Sequence, residues 1–139
     1  MAVPDRVVFD AEPLIAHADD EPGSDIVKTY LDAVAVQATT GYVCPVTRTE
    51  IRYTIARKYD RATADEYLDW LTTLGIETVA VEDVWRAAAD HVLAATPALG
   101  DAFALATAEH VEGTLLVGGD DDYDAISVVP IERFRDGGA

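Results

Sequence analysis

Short apolar runs alternate along this chain with longer stretches in which apolar residues recur every three or four positions. Residues 7–9 form the first run, which stops abruptly at Asp10. Such a run predicts a short buried strand, and residues 11–16 then turn toward helix, with Pro13 in the first turn. An acid between a buried strand and a helix start lies where open α/β sheets place their ligand chemistry. Asp10 is therefore the first candidate for a functional residue.

The same two patterns repeat along the rest of the sequence. Further strands are predicted at residues 42–46, 76–81, 114–117 and 126–131. Helices are predicted over residues 24–35, 82–95 and 102–110, and two more are predicted to start at capping boxes at 47–50 and 63–66. In the helix over 24–35, Ser24 is the predicted N-cap. Its predicted apolar stripe consists of Ile26, Tyr30, Leu31 and Val34. The tail from Arg133 onward is expected to fray. The alternation predicts an α/β sandwich with a mainly parallel sheet.

Length and composition suggest one domain over residues 1–139, with a substantial core, because half of the residues are hydrophobic. No apolar run approaches the roughly 18 residues of a membrane span, and no signal peptide is recognisable. We expect a soluble, cytoplasmic protein that does not contact a membrane. The single cysteine, Cys44, excludes an internal disulfide and is expected to be a reduced core residue.

The charge balance is strongly acidic, with 10 Lys+Arg against 26 Asp+Glu and a net charge of −16. This sign is wrong for a nucleic-acid binder. Either the protein does not contact nucleic acid, or the acidity is a halophile-like adaptation to high salt, which screens charge. Five of the ten basic residues lie within residues 48–61. They indicate either a helix face that follows RNA phosphates or i,i+4 pairing with nearby acids.

Several acids are predicted to follow strands or to open helices, and they would therefore face one rim of the sheet. The candidates are Asp10, Glu50, Asp101, Asp120 and Asp122. Several carboxylates held together repel unless a cation lies among them, and Mg²⁺ or Mn²⁺ prefers oxygen ligands. Each acid also has a structural explanation: Glu50 completes a capping box, and the acids at 120–122 fit a solvated turn. The histidines have no metal-ligand spacing, while Tyr67 and Trp70 are core residues or part of a partner interface.

The chain resembles PIN-domain proteins of the VapC-type toxin group. The matching segments, in the family's order, are 7–10 with 14–16, 49–51, 99–102 with 106–108, and 115–117 with 119–123. The resemblance implies a three-layer α/β/α fold and a site built from Asp10, Glu50, Asp101 and Asp120, with Asp122 able to complete the metal shell. Two residues depart from the group's pattern: Glu12 replaces a small hydroxyl residue, and Gly118 replaces a threonine. Glu12 is thus a candidate fifth carboxylate.

The resemblance also implies an Mg²⁺- or Mn²⁺-dependent endoribonuclease, the toxin of a toxin–antitoxin pair. Its expected partners are RNA, a small antitoxin protein and a second copy of itself. Two alternatives remain open. The first is a non-catalytic PIN-like module that binds a protein. The second is a phosphatase of the haloacid dehalogenase type, suggested by residues 10–12, although no catalytic lysine is evident.

Overall fold

The computed structural model of the chain describes residues 2–95, 97–119 and 121–135. Its strands are β1 (Arg6–Phe9), β2 (Thr40–Val43), β3 (Glu77–Thr78), β4 (Thr114–Val117) and β5 (Ile131–Arg133). Its helices are α1 (Ala11–Ala18), α2 (Ser24–Ala35), α3 (Pro45–Lys58), α4 (Arg61–Leu74), α5 (Trp85–Ala95) and α6 (Leu99–Val111). Short 3₁₀ turns cover Val81–Asp83 and Asp121–Tyr123.

The described strands form one sheet in the order β3-β2-β1-β4-β5, and every pair is parallel. On one face Val7 and Phe9 of β1 pack with residues of α1 to α4. On the other face Val8 packs with α6, and a neighbouring cluster joins α6 to α5. Successive side chains of a strand point to opposite faces, so β1 contributes to both cores. The predicted three-layer α/β/α sandwich is confirmed.

The starts of α2, α3 and α4 differ from the predicted starts. Helix α3 begins at Pro45, because proline fits the first helical position and Cys44 precedes it in extended conformation. The box at 47–50 is therefore wrong. Thr47 is inside the helix and buried, and its hydroxyl has no hydrogen-bond partner within the described residues.

The box at 63–66 is also wrong. Asp60 is the N-cap of α4, and its carboxylate accepts a hydrogen bond from the Thr63 N–H at 2.7 Å. Gly23, rather than Ser24, precedes α2, with a left-handed φ of 90° that favours glycine. In that helix Val27 is buried, whereas Ile26 is exposed. Gly75 ends α4 at a positive φ of 121°.

Three strands are shifted or shortened relative to the prediction. Strand β2 ends before Pro45, and β3 is reduced to two residues at the edge of the sheet. The apolar run 126–131 is mostly irregular, and pairing with β4 begins where Leu115 meets Ile131. The tail is ordered through Arg135, because Phe134 is buried against Gly23. The expected fraying from Arg133 is therefore wrong for residues 133–135.

The two remaining expectations concern Cys44 and the membrane. Cys44 is free and buried, as expected. Across residues 2–95, 97–119 and 121–135, no helix has the length and apolar character needed to cross a membrane.

Candidate metal centre

Asp10 is fixed by contacts from three elements at the carboxyl end of β1. Its Oδ1 accepts a hydrogen bond from the Ala11 N–H at 2.8 Å, so the side chain caps α1. Its Oδ2 accepts from the Tyr123 hydroxyl at 2.8 Å, and its own N–H donates to the Leu116 carbonyl. The residue is 5% exposed. Because so many bonds hold it, this carboxylate has one orientation.

Asp101 is brought to Asp10 by the first turn of α6. Its carboxyl lies within hydrogen-bonding reach of both the Asp10 carboxyl and the Tyr123 hydroxyl. Two carboxylates this close cannot both be charged at low cost unless a proton or a cation lies between them. The pair therefore makes this edge of the sheet a place where a proton or a cation is stabilised.

Glu50 approaches the pair from α3. Its carboxylate lies against the backbone of Gly100, where a Cβ atom would overlap Oε1. A cavity of about 380 Å³ opens between α3 and α6, and Glu50, Asp101, Thr49 and Tyr53 are among its lining residues. The missing side chain at Gly100 thus allows a third acid to face the same cavity.

Burial sets the protonation behaviour of these groups. It raises the pKa of Asp10, although hydrogen bonds from Tyr123, Asp101 and Ala11 oppose the shift. Burial, and secondly the charge of Asp10, raise the pKa of Glu50. The Tyr123 pKa is raised strongly by burial and by the two aspartates, so its hydroxyl remains a donor. A cation among these acids would favour their charged forms and so lower their pKa values.

The two departures from the family pattern are physically linked. Glu12 Oε2 accepts a hydrogen bond from the Gly119 N–H at 3.1 Å and lies 3.4 Å from Arg135 Nε. Its carboxyl occupies the space that a Cβ at Gly118 would need. The longer side chain at position 12 is thus accommodated by the missing one at 118. The Glu12 carboxylate is therefore held by the backbone just after β4 and by the Arg135 side chain.

The last two predicted acids have different outcomes. Asp120 lies outside the described residues. Asp122 is exposed, and its Oδ2 accepts a hydrogen bond from the Ala98 N–H at 3.4 Å, at the start of α6. The structure therefore pairs Asp10 with Asp101, brings Asp101 and Glu50 to one cavity, and places Asp122 near the start of the helix that carries Asp101. Their assignment as metal ligands stays a prediction.

The donor set suits a hard cation that keeps bound water. Within the described part of the chain, no three His, Cys, Asp or Glu side chains are grouped as a ready-made metal site. Mg²⁺ is commonly bound by one or two carboxylates, with waters completing the octahedron. The Asp10–Asp101 pair, with Glu50 facing the same cavity, fits that pattern.

Tyr123 and Gly100 are site residues to which the sequence analysis gave no role. Both lie inside segments that resemble the PIN family, but their functions depend on contacts across the fold. An apolar-to-polar pattern carries no signal for such contacts. Only the position of Tyr123 directly behind an acidic cluster hinted at it.

The histidines and the nearby aromatic residues have ordinary partners. His17 Nδ1 lies 3.0 Å from the Tyr67 hydroxyl, and its ring stacks on Trp70 at 5.6 Å. His91 pairs with Glu109. Trp70 is 42% exposed, so its side chain is accessible to a partner protein, and a partner interface there stays a prediction.

Most of the basic residues at 48–61 that have a partner in the described part of the chain contact another helix, strand or loop. Arg52 pairs with Asp65 at 2.8 Å, Lys58 pairs with Asp19, and Arg57 lies over the Tyr53 ring. Within the described residues, i,i+4 ion pairing does not explain this cluster.

The sequence matches the PIN domain over residues 7–129. This chain belongs to the PIN-domain family. No curated protein sequence matches it. Its fold is similar to a chain of the VapBC2 complex of Rickettsia felis, solved bound to a promoter DNA fragment (TM-score 0.74, 12% identity, 92% of this chain and 98% of that one).

Two further solved structures share the fold of this PIN domain. One is a toxin–antitoxin complex from Klebsiella pneumoniae, with TM-score 0.68, 21% identity, and coverage of 88% of this chain and 94% of that one. The other is DNA-bound VapBC from Salmonella typhimurium, with TM-score 0.63, 11% identity, and coverage of 93% and 98%. The resemblance to PIN-domain proteins, which was inferred from the sequence, is confirmed.

Proposed function

We propose that this PIN domain is a metal-dependent endoribonuclease and the toxin of a toxin–antitoxin pair. The observation that carries the proposal is the contact between Asp10 and Asp101, two acids from distant parts of the chain that meet at the carboxyl end of β1 under the Tyr123 hydroxyl. Membership of a nuclease family and the toxin–antitoxin neighbours support it.

Asp10 and Asp101 would hold Mg²⁺ or Mn²⁺, and Glu50 would act through a bound water. Asp120 and Asp122 remain proposed contributors to the shell. When bound, such an ion lowers the pKa of a water and stabilises charge on a phosphate. Asp10 would fix its position, because the Ala11 N–H and the Tyr123 hydroxyl hold the carboxylate before substrate arrives, and Asp101 would complete the pair from α6.

Glu50 is suited to orient the attacking water and to receive its proton. Its raised pKa brings the carboxylate closer to neutrality than an exposed glutamate. Tyr123 would hold Asp10 in one rotamer throughout. The roughly 380 Å³ cavity gives the phosphate access to this edge from solvent.

The experiment is an RNA cleavage assay with Mg²⁺, Mn²⁺ or EDTA, at low and high salt, since a halophile-like protein needs high salt. Asp10→Asn and Asp101→Asn are expected to lose cleavage by roughly 100-fold or more, because several kcal/mol of transition-state stabilisation depend on the ion. Asp25→Asn, an acid in the first turn of α2, is the matched control and should cleave normally. Cleavage that survives EDTA or both site variants would overturn the proposal.

A small antitoxin is the proposed protein partner. The similar structures are toxin–antitoxin complexes, and the aromatic group of His17, Tyr67 and Trp70 presents the exposed Trp70 ring at the surface. Co-expression with the product of the adjacent reading frame should give a complex that represses cleavage. Complex formation by a protein that binds no Mn²⁺ in calorimetry would instead favour the non-catalytic binding module.

The phosphatase alternative has lost its basis. The chain belongs to another family, and its two lysines are paired with other acids, Lys28 with Asp32 and Lys58 with Asp19. A cytoplasmic location and a homodimer remain proposals that accompany the toxin assignment.

A further inference from the structure

A second cavity, the α3–α4 groove, lies beside the carboxylate centre. It has a volume of about 910 Å³ and runs between α3, α4 and β3. Its lining includes Arg48, Thr49, Arg52, Asp69, Thr72 and Thr78. Thr49 also lines the cavity that contains Glu50 and Asp101. A ligand that enters the groove can therefore continue to the carboxylates.

Arg48 is the distinctive residue of this groove. Its Nη1 donates to the hydroxyl oxygens of Thr72 and Thr78, both at 3.4 Å, near the limit of a hydrogen bond. Within the described residues, no carboxylate lies in ion-pair range of it. A guanidinium has five N–H donors in a planar fork, so most of its donors and its full charge face the groove.

The other charges of the groove do not cancel that of Arg48. Arg52 forms a bidentate pair with Asp65, at 2.8 and 3.3 Å, which neutralises both. Asp69 lies on the lining and opposes an anion. The Thr49 and Thr72 hydroxyls donate to the Pro45 and Leu68 carbonyls of their own helices, and the Thr72 and Thr78 hydroxyls accept from Arg48, so a phosphate would draw mainly on the guanidinium. A guanidinium flanked by hydroxyls is the donor set that recognises a phosphate.

We propose that Arg48, with Thr49, Thr72 and Thr78, binds a phosphodiester of the RNA strand that flanks the scissile bond. The inference rests on the proposed ribonuclease activity. Arg48 lies two residues from Glu50 on α3, so one helix would hold both the flanking phosphate and the group facing the attacking water. Positive charge in this acidic protein is thus placed where the substrate enters.

The test measures the binding of fluorescein-labelled single-stranded RNA by anisotropy, in an Asp101→Asn background that leaves the RNA uncut. Arg48→Gln is expected to weaken binding by roughly 5- to 10-fold and to reduce the slope of log K against log salt by about 0.7, the value for one phosphate. Asp69→Asn is expected to tighten binding. Arg61→Gln, at the exposed start of α4, is the matched control and should change neither quantity.

Each outcome has one meaning when cleavage by the unsubstituted protein is measured in parallel. Active protein whose Arg48→Gln variant binds RNA like the Arg61→Gln control overturns this inference and leaves the ribonuclease proposal standing. Protein that neither cleaves nor binds RNA overturns the ribonuclease proposal. An Arg48→Gln variant that loses affinity for the antitoxin but not for RNA overturns the phosphate assignment. Equal melting temperatures of the variants confirm that the fold is intact.

Discussion

The carboxylate centre and the α3–α4 groove share helix α3 but are built in opposite ways. Asp10 is held at the end of β1 by backbone and tyrosine hydrogen bonds, and Asp101 meets it and the same tyrosine from the first turn of α6. Arg48 projects from a helix surface and is steadied by two long bonds to hydroxyls. The carboxylates are thus largely satisfied by bonds within the fold, whereas the charge of Arg48 has no carboxylate partner among the described residues. On the proposed function, the first region would carry the chemistry and the second would capture the substrate.

The sharpest separation of the two regions is kinetic. Asp10→Asn should lower kcat by roughly 100-fold or more and leave RNA affinity nearly unchanged, because it removes a group that acts on the reacting phosphate. Arg48→Gln should raise KM and leave kcat within about threefold, as expected for uniform binding. Steady-state cleavage of one labelled RNA measures both. Similar effects on kcat and KM in the two variants would contradict the division.

Tyr123→Phe tests how the centre is held. It removes the hydrogen bond that lowers the pKa of Asp10, so that pKa should rise and the acidic limb of the cleavage profile should move to higher pH. The lost bond to a buried charged group should cost about 1.5–3 kcal/mol of stability. A pH–rate profile and urea unfolding check the two effects. An unshifted acidic limb would show that the hydroxyl does not govern Asp10.

Metal-free stability should depend on pH through Asp10. Its folded pKa lies above the ordinary value of 3.8, so the folded state holds the proton more tightly than the unfolded state. Stability from this group is therefore full below pH 3.8 and is lost as pH rises through the folded pKa. Above that window, Asp10→Asn should unfold at a higher urea concentration than the unsubstituted protein. The advantage should shrink when Mn²⁺ is added to the unsubstituted protein.

Gly100→Ala tests the space that Glu50 occupies. Alanine favours a helix over glycine by about 1 kcal/mol, but its Cβ would displace the Glu50 carboxylate. We expect a protein at least as stable with cleavage reduced roughly tenfold, and little further loss when Glu50→Gln is added. Additive losses in the double variant would mean that Gly100 acts independently of Glu50.

The smallest expected effect concerns Thr47, a buried residue of α3. Thr47 is buried with an unsatisfied hydroxyl, so Thr47→Val, which replaces that hydroxyl by a methyl group, should stabilise the protein by up to about 1 kcal/mol. Cleavage and RNA affinity should stay unchanged. Urea unfolding measures the gain, and destabilisation would indicate that the hydroxyl has a partner such as a buried water.

The sequence predicted well what depends on local pattern. Asp10 stood out because three buried residues precede it, and α6 because Asp101 opens an apolar run. The α3 start was misplaced because two possible starts lie within three residues, and Pro45 outweighs Thr47. The fifth strand was misplaced because pairing with β4, rather than apolar content, selects 131–133 over 126–131.

The site was only partly predictable for the same reason. The strand ends indicated which acids gather at one edge. The donor role of Tyr123, the space at Gly100 and the open charge of Arg48 depend on elements far apart in the chain. A net charge of −16 also does not tell where the few cations lie, so composition alone could not single out Arg48.

The overlap between position 12 and position 118 has a consequence for how this chain tolerates substitution. The present position of the Glu12 carboxylate depends on a neighbour with no Cβ, so a bulkier residue at 118 would force that carboxylate to move or favour a shorter side chain at 12. Substitutions at positions 12 and 118 should therefore be tolerated better as a pair than singly. In this chain, a substitution at position 118 alone should disturb the local fold more than the same substitution combined with a shorter side chain at position 12.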